Sequence, residues 1–162
     1  MGSTNPASGK ALRRGEGQSF LVMGMPHIIK TASHENHAQT SIMEVIVAPG
    51  QGVPPHTHTH EDEFFCILDG ELTCHMDGMP APVTLRAGDL LFLPRNRMHG
   101  FTNATSKEAR MMVTVTPGTG TDRMFAELAA ACTKYSQPHE LMPEAGRICQ
   151  CYGVIFAPPP SN

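Results

Sequence analysis

Apolar residues in the first two thirds of the chain occur in short runs that are separated by turn residues. Between residues 18 and 117 there are about ten such runs, rich in β-branched and aromatic residues and without a helical period. Asp-Gly pairs at 69–70 and 77–78, and a Gly-Asp pair at 88–89, mark tight turns between the runs. The pattern predicts an all-β sandwich or barrel whose order begins near Gln18.

The pattern changes after Pro117. Residues 121–136 carry apolar side chains at positions 124, 125, 128, 129 and 132, which predicts an amphipathic helix with Asp122 as its N-cap. Pro138 ends this helix, and a second, shorter helix is predicted over residues 140–153. We therefore expect one or two helices after the β-rich part.

These changes divide the chain into three parts. Residues 1–17 are small, polar and Gly-rich without apolar periodicity, which predicts a flexible N-terminal arm. Residues 18–117 form the predicted β-barrel. Residues 118–162 form the helical extension and a proline-rich tail, and three prolines among its last nine residues argue against further regular structure there.

Composition and charge exclude several classes of partner. The 162 residues are 40% apolar and 17% charged, which is typical of one globular domain. A net charge of −3 without a block of like charges argues against nucleic acid and anionic membranes, and no apolar run reaches the roughly 20 residues of a spanning helix. Five cysteines without a regular framework favour reduced thiols, so we expect a cytoplasmic protein. Cys149 and Cys151 form a CxC pair, and we interpret them as helix side chains rather than metal ligands.

Histidines and carboxylates are concentrated between Gly50 and Gly70. His56 and His58 stand two residues apart, and side chains at this spacing point to one face of a strand, with Cα atoms about 6.5 Å apart. Glu63 opens the next apolar run, and a chain that folds back there brings its carboxylate beside the two imidazoles. Two nitrogen donors and a carboxylate predict a metal site, and the alternative is a solvated His-rich loop.

His60 is a rival ligand, because a His58/His60 pair has the same spacing. That pairing leaves Phe64, not a carboxylate, at the position corresponding to Glu63. We therefore interpret His60 as a residue of the turn or of the pocket rim, and His75, which lacks a partner, as structural.

Two segments of the chain resemble the two sequence motifs of the cupin family. From Gly50 to Gly70 the sequence reads G-x5-H-x-H-x4-E-x6-G, which is similar to the first cupin motif at every position. From Gly88 to Asn103 it reads G-x5-P-x-N-x2-H-x3-N, which is similar to the second motif except that Asn96 stands where the family has glycine. Asparagine tolerates a left-handed backbone, so we expect the turn to be kept. The TPG segment, the helices and the closing GV-x-F-x-PP also resemble small single-domain cupins of the quercetin 2,3-dioxygenase-like group.

The resemblance implies a jelly-roll β-barrel, also called a double-stranded β-helix, with a metal inside it. Its ligands would be His56, His58, Glu63 and His99, and the ion would be one divalent metal, with Fe, Mn, Ni, Cu and Zn all open. Small cupins also form two-fold dimers, and two short apolar N-terminal runs (residues 19–23 and 27–32) offer surface to bury. We therefore expect a homodimer, and the alternative is that these strands cover the barrel of a monomer.

The same residues suggest a chemistry. Strand alternation from Glu63 puts Phe65 and Ile67 on the inner face, and alternation from His99 puts Phe101 there, so a pocket for a small aromatic or enolisable substrate is expected. Glu63 would serve as ligand and as catalytic base. The predicted function is a metal-dependent oxidoreductase, a dioxygenase that uses O2. The alternatives are a non-redox cyclase, isomerase or lyase, and a non-catalytic binding protein.

Overall fold

The computed structural model describes residues 9–158 and confirms the predicted all-β architecture with C-terminal helices. Residues 1–8 of the predicted arm and residues 159–162 of the predicted tail lie outside the described residues. Within the described range the helices are α1 (Thr121–Lys134) and α2 (Pro138–Cys151), with a 3₁₀ turn at Ser33–Glu35. The strands of that range are β1 (Gln18–Val22), β2 (Met25–Thr31), β3 (Ser41–Val47), β4 (Gly52–His58), β5 (Asp62–Asp69), β6 (Glu71–Met76), β7 (Val83–Arg86), β8 (Leu90–Leu93), β9 (His99–Thr102), β10 (Ala109–Thr116) and β11 (Val154–Phe156).

The strands form two antiparallel sheets that face each other across a common core. One sheet has the order β1-β2-β3-β10-β5-β8, and the other has the order β11-β4-β9-β6-β7. Alternate residues of each strand point inward, as in β10, where every second residue is buried from Ala109 to Val115. Met43, Phe65 and Leu72 are among the side chains that fill the space between the sheets.

The last strand corrects one prediction. Regular structure was not expected beyond residue 153, but Val154–Phe156 form β11 and pair with β4. These three residues precede the prolines, so their backbone groups remain free to pair with a neighbouring strand. The pairing sets Phe156 opposite His56. The C-terminal strand thus belongs to the sheet that carries the histidine pair.

The two helices pack on each other and on the edges of the barrel. Helix α1 contacts β1, and α2 contacts β11, so the pair lies beside the open end of the cavity between the sheets. The predicted N-cap is wrong by two residues. Gly120 caps α1, while Asp122 lies in the first turn and accepts a hydrogen bond from the backbone N–H of Ser33 at 3.2 Å. In the described part of the chain, no helix has both the length and the hydrophobicity that crossing a bilayer needs.

Candidate metal centre

The four side chains predicted as ligands lie together inside the barrel. His56 and His58 project from β4, Glu63 from β5 and His99 from β9. One ligand atom from each of them lies within 4.8 Å of those of the other three. All four residues are buried. This is the size of cluster that a single ion can bridge.

Backbone pairing explains how distant parts of the sequence meet here. His56 and His99 are direct partners in the β4–β9 ladder. The turn before β9 has Asn96 at φ 62°, which confirms the expectation that asparagine takes the left-handed conformation. The N–H of Asn96 donates to the carbonyl of His58 at 2.8 Å. The turn is therefore tied to the end of β4, and this fixes His99 beside the histidine pair.

Two of the three imidazoles are held in the tautomer that a metal needs. Nδ1 of His56 lies 2.9 Å from the carbonyl oxygen of Pro54, and Nδ1 of His99 lies 2.9 Å from that of Arg97. A carbonyl oxygen only accepts, so each Nδ1 carries the proton. Each Nε2 then presents a bare lone pair towards the centre of the cluster. Histidine ligands in metalloproteins are oriented by the same kind of hydrogen bond on the far nitrogen.

The third imidazole is oriented by a carboxylate. Nδ1 of His58 lies 3.4 Å from Oε2 of Glu61, which is 5% exposed. The other oxygen of Glu61 accepts hydrogen bonds from the hydroxyls of Thr119 and Thr121 at 3.3 and 3.2 Å. This is the carboxylate–histidine arrangement that commonly supports a metal ligand. Sequence analysis missed it, because Glu61 looked like part of a polar turn and its threonine partners lie 58 and 60 residues later.

The electrostatics of the cluster fit a cation. Oε2 of Glu63 lies 3.0 Å from Nε2 of His99 and 3.8 Å from Nε2 of His58. Burial raises the pKa of Glu63, but the charge of His58 and the close approach of His99 outweigh it, so the pKa lies below its usual range. Burial lowers the pKa of His56 to about 4, so this imidazole is neutral, as a ligand must be. The pKa of His58 is raised, because Glu63 and Glu61 outweigh the effect of burial. The cluster thus attracts positive charge, which a proton or a divalent ion can supply.

A cavity of about 440 Å³ adjoins the cluster and runs between the sheets to the helices. Phe65 and Phe101, both predicted as pocket residues, line it. Ile67 does not, because it lies one inward position further from Glu63 than Phe65 and is packed in the core at 1% exposure. Other apolar residues from the sheets and from both helices complete the lining, among them Met25, Met43, Val45, Val113, Met124, Phe125, Leu128, Met142 and Phe156.

The other candidate residues stay outside this centre. His60 is exposed after β4 and is not one of the clustered side chains. Cys149 is buried on α2 and Cys151 is exposed at its end, as expected for helix side chains. Arg95 pairs with Asp62 at 2.9 Å on the surface instead of facing the cavity. Among the residues described, neither arginine nor lysine lines the cavity.

Comparison with known proteins gives a family match and several relatives. The Cupin domain family model matches residues 43–115, a segment that contains all four clustered side chains. Polyketide synthase CurC of Streptomyces cyaneus is 35% identical over 72 residues, which cover 44% of this chain and 46% of that protein. This chain therefore spans less than half the length of that relative.

Two solved structures share the fold. The polyketide cyclase RemF of Streptomyces resistomycificus aligns with a TM-score of 0.59 at 18% identity, over 68% of this chain and 80% of that one. An oxalate oxidase aligns with a TM-score of 0.52 at 28% identity, over 60% of this chain and 53% of that one. The matched segment and the two-sheet architecture show that this chain has the double-stranded β-helix fold that cupin proteins share.

Proposed function

We propose that this protein is a metal-dependent enzyme of the quercetin 2,3-dioxygenase-like group of cupins, and that it oxygenates a small aromatic enol or phenol inside the barrel. The observation that carries this proposal is the direct contact between a His3Glu cluster and an apolar cavity without arginine or lysine in its described lining. The metal-binding cluster limits the type of reaction, and the cavity limits the kind of substrate.

The donor set favours an ion that takes part in a reaction. Structural zinc sites are usually closed and rich in cysteine, whereas three imidazoles and one carboxylate leave coordination positions for substrate or water. A divalent ion bound here would supply Lewis acidity and, if it is redox-active, a route for O2 to react with the substrate. His56, His58, Glu63 and His99 would hold it.

The cavity favours a neutral aromatic molecule over a charged one. A substrate with phosphate or several carboxylates would find no cationic side chain among the described lining residues, and burial without a partner is costly for an ion. Phe65 and Phe101 offer aromatic faces, with ring centroids 5.5 Å apart. Methionines from β2, β3, β10 and both helices add flexible apolar surface that adapts to a planar ligand.

Glu63 is the group that would accept a proton. Its carboxylate is ionised at neutral pH, because the neighbouring histidines hold its pKa below the usual range despite burial. It projects into the cavity beside Nε2 of His99, so a substrate hydroxyl that enters the cluster comes within reach of it. Removal of that proton gives an electron-rich enolate or phenolate, the form of the substrate that reacts with O2. The apolar lining keeps bulk water away from this anion.

The similarity to a protein named as a polyketide synthase favours a second candidate, which is cyclisation of a polyketide-like chain. The same cluster would bind a substrate oxygen, and Glu63 would accept a proton from an acidic C–H. This reaction consumes no O2. The two candidates therefore differ in their requirement for oxygen and not in the residues that they use.

Oxygen consumption tests the proposal. Metal-free protein is loaded separately with Fe(II), Mn(II), Ni(II), Cu(II) or Zn(II) and incubated with a panel of aromatic enols and phenols, with and without O2. Dioxygenation predicts equal losses of O2 and substrate and no O2 uptake with Zn(II). Product that forms without O2, and with Zn(II) as well, supports cyclisation instead. Tight binding of the panel without any product contradicts both and indicates a binding protein.

A further inference from the structure

A fourth histidine opens into the cavity away from the metal centre. His27 lies on the inner face of β2, opposite Phe20 of β1 and Val45 of β3. It is 6% exposed, and it lines the same cavity as His56 and Glu63. Its ring stacks on Phe125 of α1, with the centroids 4.2 Å apart. The residue therefore stands where the barrel meets the helices.

The hydrogen bonding of His27 leaves one nitrogen as a free acceptor. Nδ1 lies 2.9 Å from the carbonyl oxygen of Met25, so Nδ1 carries the proton. Burial lowers the pKa of His27 to about 4, so the ring is neutral. Nε2 then has a bare lone pair, and no group in the described part of the chain donates a hydrogen bond to it. Among the described residues, the fully buried side-chain polar atoms without a partner are Oγ of Ser41 and Nε2 of His75, so Nε2 of His27 is instead open to the cavity, where a ligand hydroxyl can donate to it.

The position of His27 sets the length of such a ligand. Residue pairing leads from His27 to Val45, then to Met111 and then to Ile67, which is four residues along β5 from Glu63. Strands lie about 4.8 Å apart and rise about 3.3 Å per residue, so the Cα atoms of His27 and Glu63 are separated by about 14 Å across the sheet and about 13 Å along it. The two side chains extend into the cavity from these positions. Curvature of the sheet shortens the direct path through the cavity. A molecule of one ring does not span this path, whereas two or three linked or fused rings do.

We propose that Nε2 of His27 accepts a hydrogen bond from a hydroxyl at the end of the substrate farthest from the metal centre. The substrate is then an extended aromatic molecule with an oxygen function at each end: one in the His3Glu cluster and one at His27. This inference rests on the proposed function for the end that enters the cluster. It assigns His27 the role of a residue that determines substrate length and orientation.

Binding of two biphenyls to the Zn(II)-loaded protein tests the inference. The first, 4,4′-dihydroxybiphenyl, has a hydroxyl at both ends, and the second, 4-hydroxybiphenyl, has one. Isothermal titration calorimetry of the wild type should show the diol binding about tenfold more tightly, which combines one hydrogen bond with the twofold statistical advantage of a symmetrical ligand. In His27→Phe, which keeps the ring stack but has no acceptor, the ratio should fall to about two, while binding of the mono-alcohol is unchanged.

Two further variants serve as controls. His27→Gln places an amide oxygen near the position of Nε2 and should restore part of the preference for the diol. His34 is exposed on the 3₁₀ turn, and His34→Gln should leave the ratio at the wild-type value. If His27→Phe does not fold, as judged by circular dichroism, the wild-type and His27→Gln ratios decide the question.

A wild-type ratio of two or less overturns the inference, and so does a His27→Phe variant that keeps the wild-type ratio. Because both biphenyls would still bind in those cases, the proposed function would remain. Failure of both biphenyls to bind the wild type overturns the inference, and the oxygen-consumption panel then decides the proposed function separately.

Discussion

Two glutamates are buried in the same sheet, on opposite faces, and their surroundings differ sharply. Glu44 on β3 points to the outer face and is 1% exposed. Its carboxylate lies 2.8 Å from Nζ of Lys30 and 2.8 Å from a guanidinium nitrogen of Arg110, and it accepts a hydrogen bond from the N–H of Gly15 at 2.9 Å. Burial alone would raise the pKa of Glu44, but these three partners lower it to about 2.

Glu63 on β5 points to the inner face, and the basic groups beside it in the described structure are imidazoles. Two of these rings carry their proton on the nitrogen that faces away from Glu63. The chain therefore completes the charge balance of Glu44 itself and leaves that of Glu63 to be completed from outside. A buried anion that is fully paired indicates a structural role, whereas one that faces the lone pairs of two imidazoles has a site beside it that could hold a cation.

Removal of a histidine from the inner cluster should have the largest effect. His58→Ala takes away one of three nitrogen donors, so we expect the metal content, measured by mass spectrometry after dialysis, to fall from one ion per chain to near zero. His60→Ala removes an exposed histidine two residues away and should keep the full metal content. Unchanged metal content in His58→Ala would remove the basis for treating the cluster as a metal site.

The outer glutamate should matter for stability instead. Glu44→Gln leaves Lys30 and Arg110 without their buried counter-charge, so the free energy of unfolding should fall by about 3 kcal/mol in chemical denaturation. The pKa of Glu44 is lowered in the folded state, so the charge stabilises the fold fully above about pH 4.5 and loses its effect as the pH falls towards 2. The difference between wild type and variant should shrink over that range. Metal content should not change. A loss of metal in Glu44→Gln would contradict the assignment of a structural role to Glu44 and a metal-binding role to Glu63.

The same substitution at the inner glutamate should act on turnover. Glu63→Gln keeps the size and one oxygen donor but removes the proton acceptor, so we expect the turnover number to fall about 100-fold while metal binding is weakened but retained. Glu44→Gln, assayed at a temperature where it is folded, is the matched control and should keep its turnover. Equal turnover in Glu63→Gln and wild type would make Glu63 a ligand without a role as base.

The smallest expected effect concerns the carboxylate behind His58. Glu61→Gln weakens the hydrogen bond that orients this ring, so metal affinity should fall about tenfold in a competition titration with a chromophoric chelator. The neighbouring Asp62 pairs with Arg95 on the surface, and Asp62→Asn should not change the affinity. An equal loss in both variants would show that the effect comes from the turn and not from His58.

Sequence predicted the parts of the site that depend on local rules. The i, i+2 spacing placed His56 and His58 on one face, the motif spacing identified Glu63 and His99, and strand alternation found Phe65 and Phe101. Turn chemistry was also predictable, since Asn96 has the expected left-handed backbone.

The missed parts depend on contacts between distant segments. Glu61 becomes a partner of His58 only when the start of α1 supplies Thr121 as donor, and β11 forms only because β4 offers a free edge. In the sequence, His27 is only one residue of a short apolar run. Its place in the cavity depends on the pairing of β2 within the sheet and on the contact with Phe125 of α1. Local periodicity carries no information on such pairings, so the helical side of the cavity was beyond prediction from one sequence.

Anomalous diffraction from crystals of the Zn(II)-loaded protein, recorded at the zinc absorption edge, tests the metal assignment most directly. We predict one strong peak at the cluster, with Nε2 of His56, His58 and His99 about 2.0–2.1 Å from the ion and a carboxylate oxygen of Glu63 in the same shell. A peak at another place on the chain with none at this cluster would contradict the account.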